Sequence, residues 1–319
     1  MNLLDAYRYL RALEQHRHFG RAATACHITQ PALSNALRTL ETHFDVAIVR
    51  RGRLYEGLTP EGELVLATAH RVLREQEVLM QSLRGTAAQP QGRLLIGVVP
   101  TALPIATRFA AQLVQRHPGL LPQLRSLSSQ EIETGLDTLA IDIGLGYTER
   151  LSAPLHSSLR ARLQSWPQYV EHYHLLQRGD APQPGLQFGA PMDWAEAARL
   201  PLALLSPEMH NRVILDEVFS RLQLQVTPAL ETNSVLALLV AVQTGSLCAV
   251  LPGALVATLG GPGTLLARPL RAPVLRTPIG FMCAGAARPS RALDAALRLA
   301  TDADWLAHAA AHSGPLGMA

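Results

Sequence analysis

The sequence predicts two unlike halves joined by one long helix: an all-α unit closed by a winged hairpin, then an α/β region. Three observations carry this. Gln15 to Arg53, QHRHFGRAATACHITQPALSNALRTLETHFDVAIVRRGR, reads as a helix, a tight turn, a second helix and a basic hairpin. Thr59 to Leu83 holds an apolar stripe too long for an ordinary helix. From Arg93 onward, strand-like apolar runs alternate with helical ones, which implies mainly parallel sheet covered by helices.

The first helix, Leu3 to Gln15, is amphipathic through Leu3, Tyr7, Leu10 and Leu13. Ala22, Ala23 and Ala25 leave room for a neighbouring helix to approach closely. Thr29 is an N-cap candidate, and Pro31 sits in the first turn, where its missing N–H costs nothing. The helix that begins near Gln30 shows Gln30, Ser34, Asn35 and Arg38 to one side and Leu33, Leu37 and Leu40 to a core. Phe44, Val46, Ile48 and Val49 then lead through Arg50, Arg51, Gly52 and Arg53 to Tyr55–Leu58, an apolar strand, a basic turn and a return strand.

In that arrangement amides and hydroxyls can read base edges, while the arginines contact phosphates or a narrow minor groove. The candidate nucleic-acid set is Thr29, Gln30, Pro31, Ala32, Ser34, Asn35, Arg38, Arg50, Arg51 and Arg53. A solvated basic turn is the alternative for the RRGR run alone.

Thr59-Pro60-Glu61 restarts a helix as cap, proline and first-turn acid. Val65, Ala69, Val72, Gln76, Leu79 and Leu83 recur at steps of four and three, the spacing of a coiled-coil seam with one polar position. A homodimer through residues 59–85 would fix two reading helices at the separation of symmetric half-sites. GTAAQPQG, Gly85 to Gly92, reads as a linker.

Residues 1 to about 90 thereby resemble the N-terminal domain of a LysR-type transcriptional regulator. The resemblance rests on Phe19, Arg21-Ala22-Ala23, Thr29-Gln30-Pro31-Ala32-Leu33-Ser34, Leu40-Glu41, Arg50 and Leu58-Thr59-Pro60-Glu61-Gly62. The chain departs from it at His18 and Thr29, where Ser is usual, at Asp45, where Gly is usual, and at Ile48-Val49-Arg50-Arg51, which replaces Leu-Phe-x-Arg.

The second half holds strands at Leu94–Val99, Leu121–Leu127, Ile141–Gly146, Tyr169–Gln177, Pro201–Leu205, Val226–Leu230, Leu247–Leu251, Leu265–Leu270 and Ile279–Ala284. Helices fall between them, and one from Arg291 to Ala310 closes the chain. That is too much sheet for one doubly wound unit. The resemblance implies an effector domain of two Rossmann-like α/β lobes, similar to a periplasmic binding protein, with crossings near Gln164–Pro167 and Arg268. The expected organisation is a winged helix-turn-helix over 1–58, a linker and dimerisation helix over 59–92, and lobe I over 93–165 plus 269–302. Lobe II takes 166–268, and a tail takes 303–319.

Ligands of open α/β sheets sit beyond the carboxyl ends of strands, where helix N-termini point. Thr101, Ser128, Ser129, Gln130, Ser206 and Asn233 occupy those positions. Singly, such residues are helix caps, and Ser128 with Glu131 writes a capping box. Together they predict an anion site for a small carboxylate. Few arginines lie in these loops, which argues against a polyphosphate. SSQEIETGLDTLAIDIGLGYTERL is similar to LysR-type regulators associated with formate dehydrogenase operons, so formate is the named candidate.

Composition bounds the partners. The net charge is +3, every basic side chain except histidine is Arg, and residues 1–58 hold eight Arg against five acids. Cys26, Cys248 and Cys283 have no CxxC spacing and predict neither a disulfide framework nor a zinc site. The apolar window Leu236–Leu259 is broken by Gly245, Pro252 and Gly253, which suits a buried helix and strand and not a membrane span. No GxSxG, Walker, GxGxxG or HExxH motif is present. His308 and His312 lie four apart without a third ligand, so no metal and no cofactor are expected.

The reading is a non-enzymatic cytoplasmic regulator. It binds double-stranded promoter DNA, responds to a small effector, dimerises and assembles to a homotetramer, and has RNA polymerase as a further partner. The rival readings are a solute-binding protein or small-molecule sensor without DNA reading, and an α/β enzyme.

Overall fold

The computed structural model describes residues 2–51, 55–84, 90–152, 163–179, 185–259, 264–285 and 289–313. Helix α1 (Leu3–His16) buries Ala6, Tyr7, Leu10 and Leu13 on one face. The alanines of α2 (Phe19–Ala25), Ala22 and Ala23, are buried where α1 and α3 (Gln30–Phe44) close on them. From α3 come Leu33, Leu37 and Leu40, spaced to meet that core. His18 caps α2: its Nδ1 accepts from the N–H groups of Gly20 and Arg21 at 3.1 and 3.3 Å. The imidazole thus replaces a serine hydroxyl, with its ring proton on Nε2.

Asp45 ends α3 in the left-handed region, with φ 54° and ψ 39°, where glycine carries no Cβ penalty. Asp45→Gly is expected to stabilise the protein by about 0.5 kcal/mol, because relief of strain exceeds the added freedom of the unfolded chain. A urea midpoint that fell would show that the carboxylate holds the turn. Glu41 pins the chain beyond it, its Oε1 accepting from the N–H groups of Ile48 at 2.9 Å and Val49 at 3.2 Å. Strands β1 (Val49–Arg51) and β2 (Tyr55–Leu58) pair antiparallel as the wing. Gly62, in the first turns of α4 (Pro60–Arg84), lies so close to the Ile48 carbonyl that any Cβ would collide with it.

Helix α4 does not carry a single seam. Leu66, Ala69 and Leu73 are buried in the N-terminal core with Val65 beside them, and Gln76 accepts from Arg8 Nη2 at 3.0 Å. Leu64, Val72, Leu79 and Leu83 are exposed, by 72, 37, 57 and 72%. The stripe of Val65, Ala69 and Gln76 is therefore intramolecular, and Val72, Leu79 and Leu83 form the outward face.

The α/β half begins with β3 (Gly92–Val98), a 3-10 turn at Pro100–Ala102, α5 (Leu103–Arg116), β4 (Leu120–Ser126), α6 (Ser129–Asp137), β5 (Ile143–Tyr147) and α7 (Glu149–Ser152). β3 pairs parallel with both β4 and β5. After β6 (Leu163–Arg178) come β7 (Gly185–Phe188), β8 (Met192–Asp193), α8 (Trp194–Ala197), β9 (Leu202–Leu205), α9 (His210–Arg221) and β10 (Leu230–Thr232). α10 (Val235–Thr244), β11 (Cys248–Pro252), α11 (Gly253–Val256) and β12 (Thr264–Arg271) complete the second lobe. β9 pairs parallel with β10 and β11, and β12 parallel with β7 and β8. The chain returns to the first lobe through β13 (Arg276–Ala284), α12 (Arg291–Ala300) and α13 (Ala303–Ala311).

The lobes share one strand. β6 pairs antiparallel with β13 over Leu163–His172, then with β11 and β12 over Tyr173–Arg178. The outward crossing therefore lies at His172–Tyr173, not near Gln164–Pro167, because the early residues of β6 are already a strand of lobe I. Arg268 still pairs with Leu175 inside lobe II, so the return crossing falls between Arg271 and Arg276.

The expected single C-terminal helix is two. Asp302 breaks it and caps α13, accepting from the Trp305 N–H at 3.0 Å. Nor is 303–311 a tail: Trp305 is fully buried, packs edge-on to Phe109 at 5.0 Å and donates to Gln168 Oε1 at 2.6 Å. Among the described residues no helix is long and apolar enough to cross a membrane.

Candidate functional site

The face of α3 away from the core carries the predicted reading residues. Thr29 caps the helix, its Oγ1 accepting from the Ala32 N–H at 3.3 Å. That hydroxyl is committed to the backbone, which leaves Gln30, Pro31, Ala32, Asn35 and Arg38 exposed and Ser34 half-buried. Arg50 is exposed on β1 beside them in sequence order, and Arg51 continues that strand. Arg53 lies outside the described residues, as does the side chain of Arg51. Polar groups on a rigid helix with a basic strand after it can hydrogen-bond bases and phosphates together.

The six residues expected around the interlobe crevice divide into layers. An open cleft of about 730 Å³ lies between the lobes. Ser128, Glu131 and Leu103 line its lobe I side, and Glu208, Met209 and Asn233 its lobe II side. Ser128 Oγ accepts from the Glu131 N–H at 3.3 Å while Glu131 Oε2 accepts from the Ser128 N–H at 2.8 Å, so the helix start is self-capped. Ser206 donates to Glu208 Oε1 at 2.6 Å and is turned to its own loop. Gln130 is exposed and lines a separate hollow between α4 and α6. The cleft thus brings Ser128 and Asn233 together, and its described lining holds two carboxylates and no cation.

Beneath the cleft is a buried polar cluster that residue patterns did not reveal. Thr101 and Tyr147 place their hydroxyls 2.9 Å apart at the ends of β3 and β5. Tyr173 Oη accepts from Asn211 Nδ2 at 3.4 Å and Thr277 Oγ1 at 3.3 Å, and donates towards Glu171 Oε2 at 3.5 Å. Both lobes contribute: Thr101, Tyr147 and Thr277 from one, Asn211 from the other, and Glu171 and Tyr173 from the crossing strand.

Glu171 is fully buried, and burial pushes its carboxyl up to about 8 against the opposing pull of hydroxyls from Thr101, Tyr173 and Tyr169. Among the described residues Glu171 Oε1, Tyr169 Oη and the Ser129 hydroxyl lie within hydrogen-bonding geometry of no partner, so the Tyr169 hydroxyl acts on the carboxyl from a longer range. His210 roofs the cluster, its ring 4.8 Å from that of Tyr147, and Arg150 reaches its Nδ1 at 3.2 Å while donating to Glu133 at 2.8 Å. Buried polar atoms left unpaired at a two-lobe junction are where a small hydrogen-bonding molecule gains most. In the sequence Glu171 is a lone acid between Tyr169 and Tyr173, and no local pattern marks it as buried.

Among the described residues no group of three or more His, Cys, Asp or Glu could hold a metal ion. The rings of His308 and His312 stack at 4.2 Å on α13 and its cap.

Two family models match the two halves of the chain. Residues 4–63 match the bacterial regulatory helix-turn-helix protein model of the lysR family, and residues 87–305 match the LysR substrate binding domain. The DNA-binding transcriptional dual regulator OxyR of Escherichia coli (strain K12) is 35% identical over 143 residues, which are 44% of this chain and 47% of that protein. The SDS degradation transcriptional activation protein of a Pseudomonas species is 31% identical over 149 residues, 45% of this chain and 49% of that protein. The chain thus spans about half the length of the curated relatives it matches.

Among solved structures, a full-length OxyR variant from Pseudomonas aeruginosa superposes with a TM-score of 0.66 at 24% identity, covering 92% of this chain and 96% of the other. CbnR complexed with its target DNA gives 0.62 at 17% identity, over 92% and 99%. At these identities the likeness is one of fold.

Proposed function

Because this chain belongs to the LysR family, we propose that it is a ligand-responsive, non-enzymatic transcriptional regulator that reads double-stranded promoter DNA through α3 and the wing. The observation that carries this is the exposed set Gln30, Asn35, Arg38 and Arg50 in the same chain as a two-lobe cleft over unpaired buried polar atoms. The effector acts by changing lobe closure, which alters the spacing of paired reading helices. A solute-binding role would leave the α3 face without a purpose.

The exposed face of α4 supports self-association through residues 59–85 into a dimer and then a tetramer, since Leu64, Val72, Leu79 and Leu83 stand exposed among the described residues. Contact with RNA polymerase belongs to this reading as the step a promoter-bound protein modulates, and so does a cytoplasmic place beside the chromosome.

The charge of the cleft revises the effector. Glu131 and Glu208 at the mouth repel an anion, and Glu171 beneath holds its proton up to about pH 8 and offers a neutral hydrogen-bonding carboxyl, so the reading shifts from a small carboxylate to a small neutral or cationic hydrogen-bonding molecule. Formate gains no support from the relatives, several of which carry the name hydrogen peroxide-inducible genes activator. A peroxide-sensing thiol would need an accessible, low-pKa cysteine. Burial instead raises the thiol pKa of Cys26, Cys248 and Cys283, the last to about 11. Thiol oxidation is therefore outside the proposed function.

Gln30→Ala with Ser34→Ala is expected to weaken specific DNA binding about tenfold or more and to leave non-specific binding nearly unchanged. A gel-shift titration at fixed salt checks this on operator and random duplexes. Equal affinities for both duplexes before and after the change would remove α3 as the reading element.

A further inference from the structure

Another cavity, which shares no lining residue with the cleft and adjoins the hollow between α4 and α6 through Glu14, His70, Arg125 and Ala140, lies among α1, α4 and the edge of lobe I at β3 and β4. Its volume is about 190 Å³. Arg11 comes from α1, Arg74 and His70 from α4, Arg93 from β3 and Arg125 from β4. Arg74 is occupied, paired with Asp142 at 2.8 Å. Arg8, just outside, is likewise held by Asp5 and Gln76. Arg11, Arg93 and Arg125 have no hydrogen bond or ion pair among the described residues. Three carboxylates share the lining: Asp142, held by Arg74, Glu77, 3.9 Å from that same Arg74, and Glu14.

Arg11 and Arg125 are half-buried and Arg93 is exposed at the rim, and three like charges lining one hollow without a hydrogen-bonded partner repel one another and favour an anion between them. The strain is felt at both neighbouring titratable groups. Arg11 is held below its ordinary value by burial and by repulsion from Arg93, Arg8 and Arg125, opposed by Glu77. His70 is pushed down to about 4 by burial, then by Arg11 and Arg125. The cavity is polar and large enough for a compact ion with a few waters, and planar guanidinium forks match tetrahedral oxyanions.

We propose that this cavity binds a compact oxyanion of the phosphate class between Arg11, Arg93 and Arg125, tying the DNA-reading half to lobe I. The ion bridges α1 to β3 and β4, so its occupancy restricts how the two halves move against each other. The site is independent of the effector cleft, and a failure here leaves that reading untouched.

The test is thermal unfolding of the full chain in inorganic phosphate, in glycerol phosphate, and in chloride at matched ionic strength. Phosphate should raise Tm saturably, on the order of 5 °C at a hundredfold excess over Kd. Which of phosphate and its monoester acts at lower concentration identifies the source of the ion. Arg93→Gln with Arg125→Gln should abolish the rise while unfolding no earlier than the parent in chloride, since repulsion is relieved. Proton NMR of His70 should show its pKa moving upward when phosphate is added. A chloride effect equal to that of phosphate, a rise that persists in the double variant, or an unmoved His70 titration would overturn the proposal.

Discussion

Arg74→Ala is expected to destabilise the protein by about 3–5 kcal/mol, because it leaves a carboxylate buried without its counter-charge. Arg74 Nη1 lies 2.8 Å from Asp142 Oδ1, with 11% and 4% of the two side chains exposed. The other guanidinium nitrogen donates to Ser290 Oγ at 2.9 Å, and Ser290 caps α12 by accepting from Leu293. Asp142 Oδ2 accepts from the Leu95 N–H at 2.7 Å. One side chain on α4 thus fastens the linker helix to β3 and α12 at once.

The pair itself is not a large net source of stability. Burial raises the Asp142 carboxyl, and Arg74 only partly offsets this. Replacing both partners, Arg74→Ala with Asp142→Asn, should therefore cost much less than replacing Arg74 alone. Urea unfolding of the four proteins in that cycle decides it. A single-variant cost below about 1 kcal/mol would mean that water already reaches the pair.

Glu171→Gln is expected to stabilise the protein at alkaline pH and to flatten its pH dependence. The unfolded carboxyl titrates near 4.5, whereas in the fold it titrates near 8. Below 4.5 both states hold the proton and nothing is lost. Between 4.5 and 8 the unfolded chain gives up the proton and the folded chain keeps it, so stability falls by up to about 1.4 kcal/mol per pH unit. Above 8 the folded state ionises too and the loss levels off at roughly 5 kcal/mol. Tm measured from pH 4 to 9 should diverge between parent and variant through that window. Parallel curves would place Glu171 in contact with water. Because the same carboxyl underlies the cleft, the variant also tests whether a cationic effector depends on it.

The N-terminal half was legible almost to the residue, since capping, small-residue packing and leucine spacing are local rules that Thr29, Ala22 and Leu33 obey. The lobes were legible as alternation but not as joints. β6 runs unbroken across the crossing, so no glycine or proline marked where one lobe ends. Asp302 was passed over because the apolar face of α12 and α13 continues through it. Thr101 and Ser129 were found by their place after a strand, yet the buried carboxyl beside Thr101 was not. Glu171 stands in a strand where His172 and His174 alternate and read as structural, and nothing local to it foretells that the second lobe folds back over it. The arginine cavity is formed by residues from Arg11 to Arg125, and no local window contains them together.

Strand β6 has a bearing on how such proteins can be recombined. Its first ten residues are structural members of lobe I and its last six belong to lobe II. Neither lobe can be excised with a complete sheet, and a chimaera joined within Leu163–Arg178 inherits mismatched hydrogen-bond ladders on both sides. Specificity for a new effector is better moved by exchanging the whole region after Gly92, with the arginines of α1 and α4 carried along as the mating half.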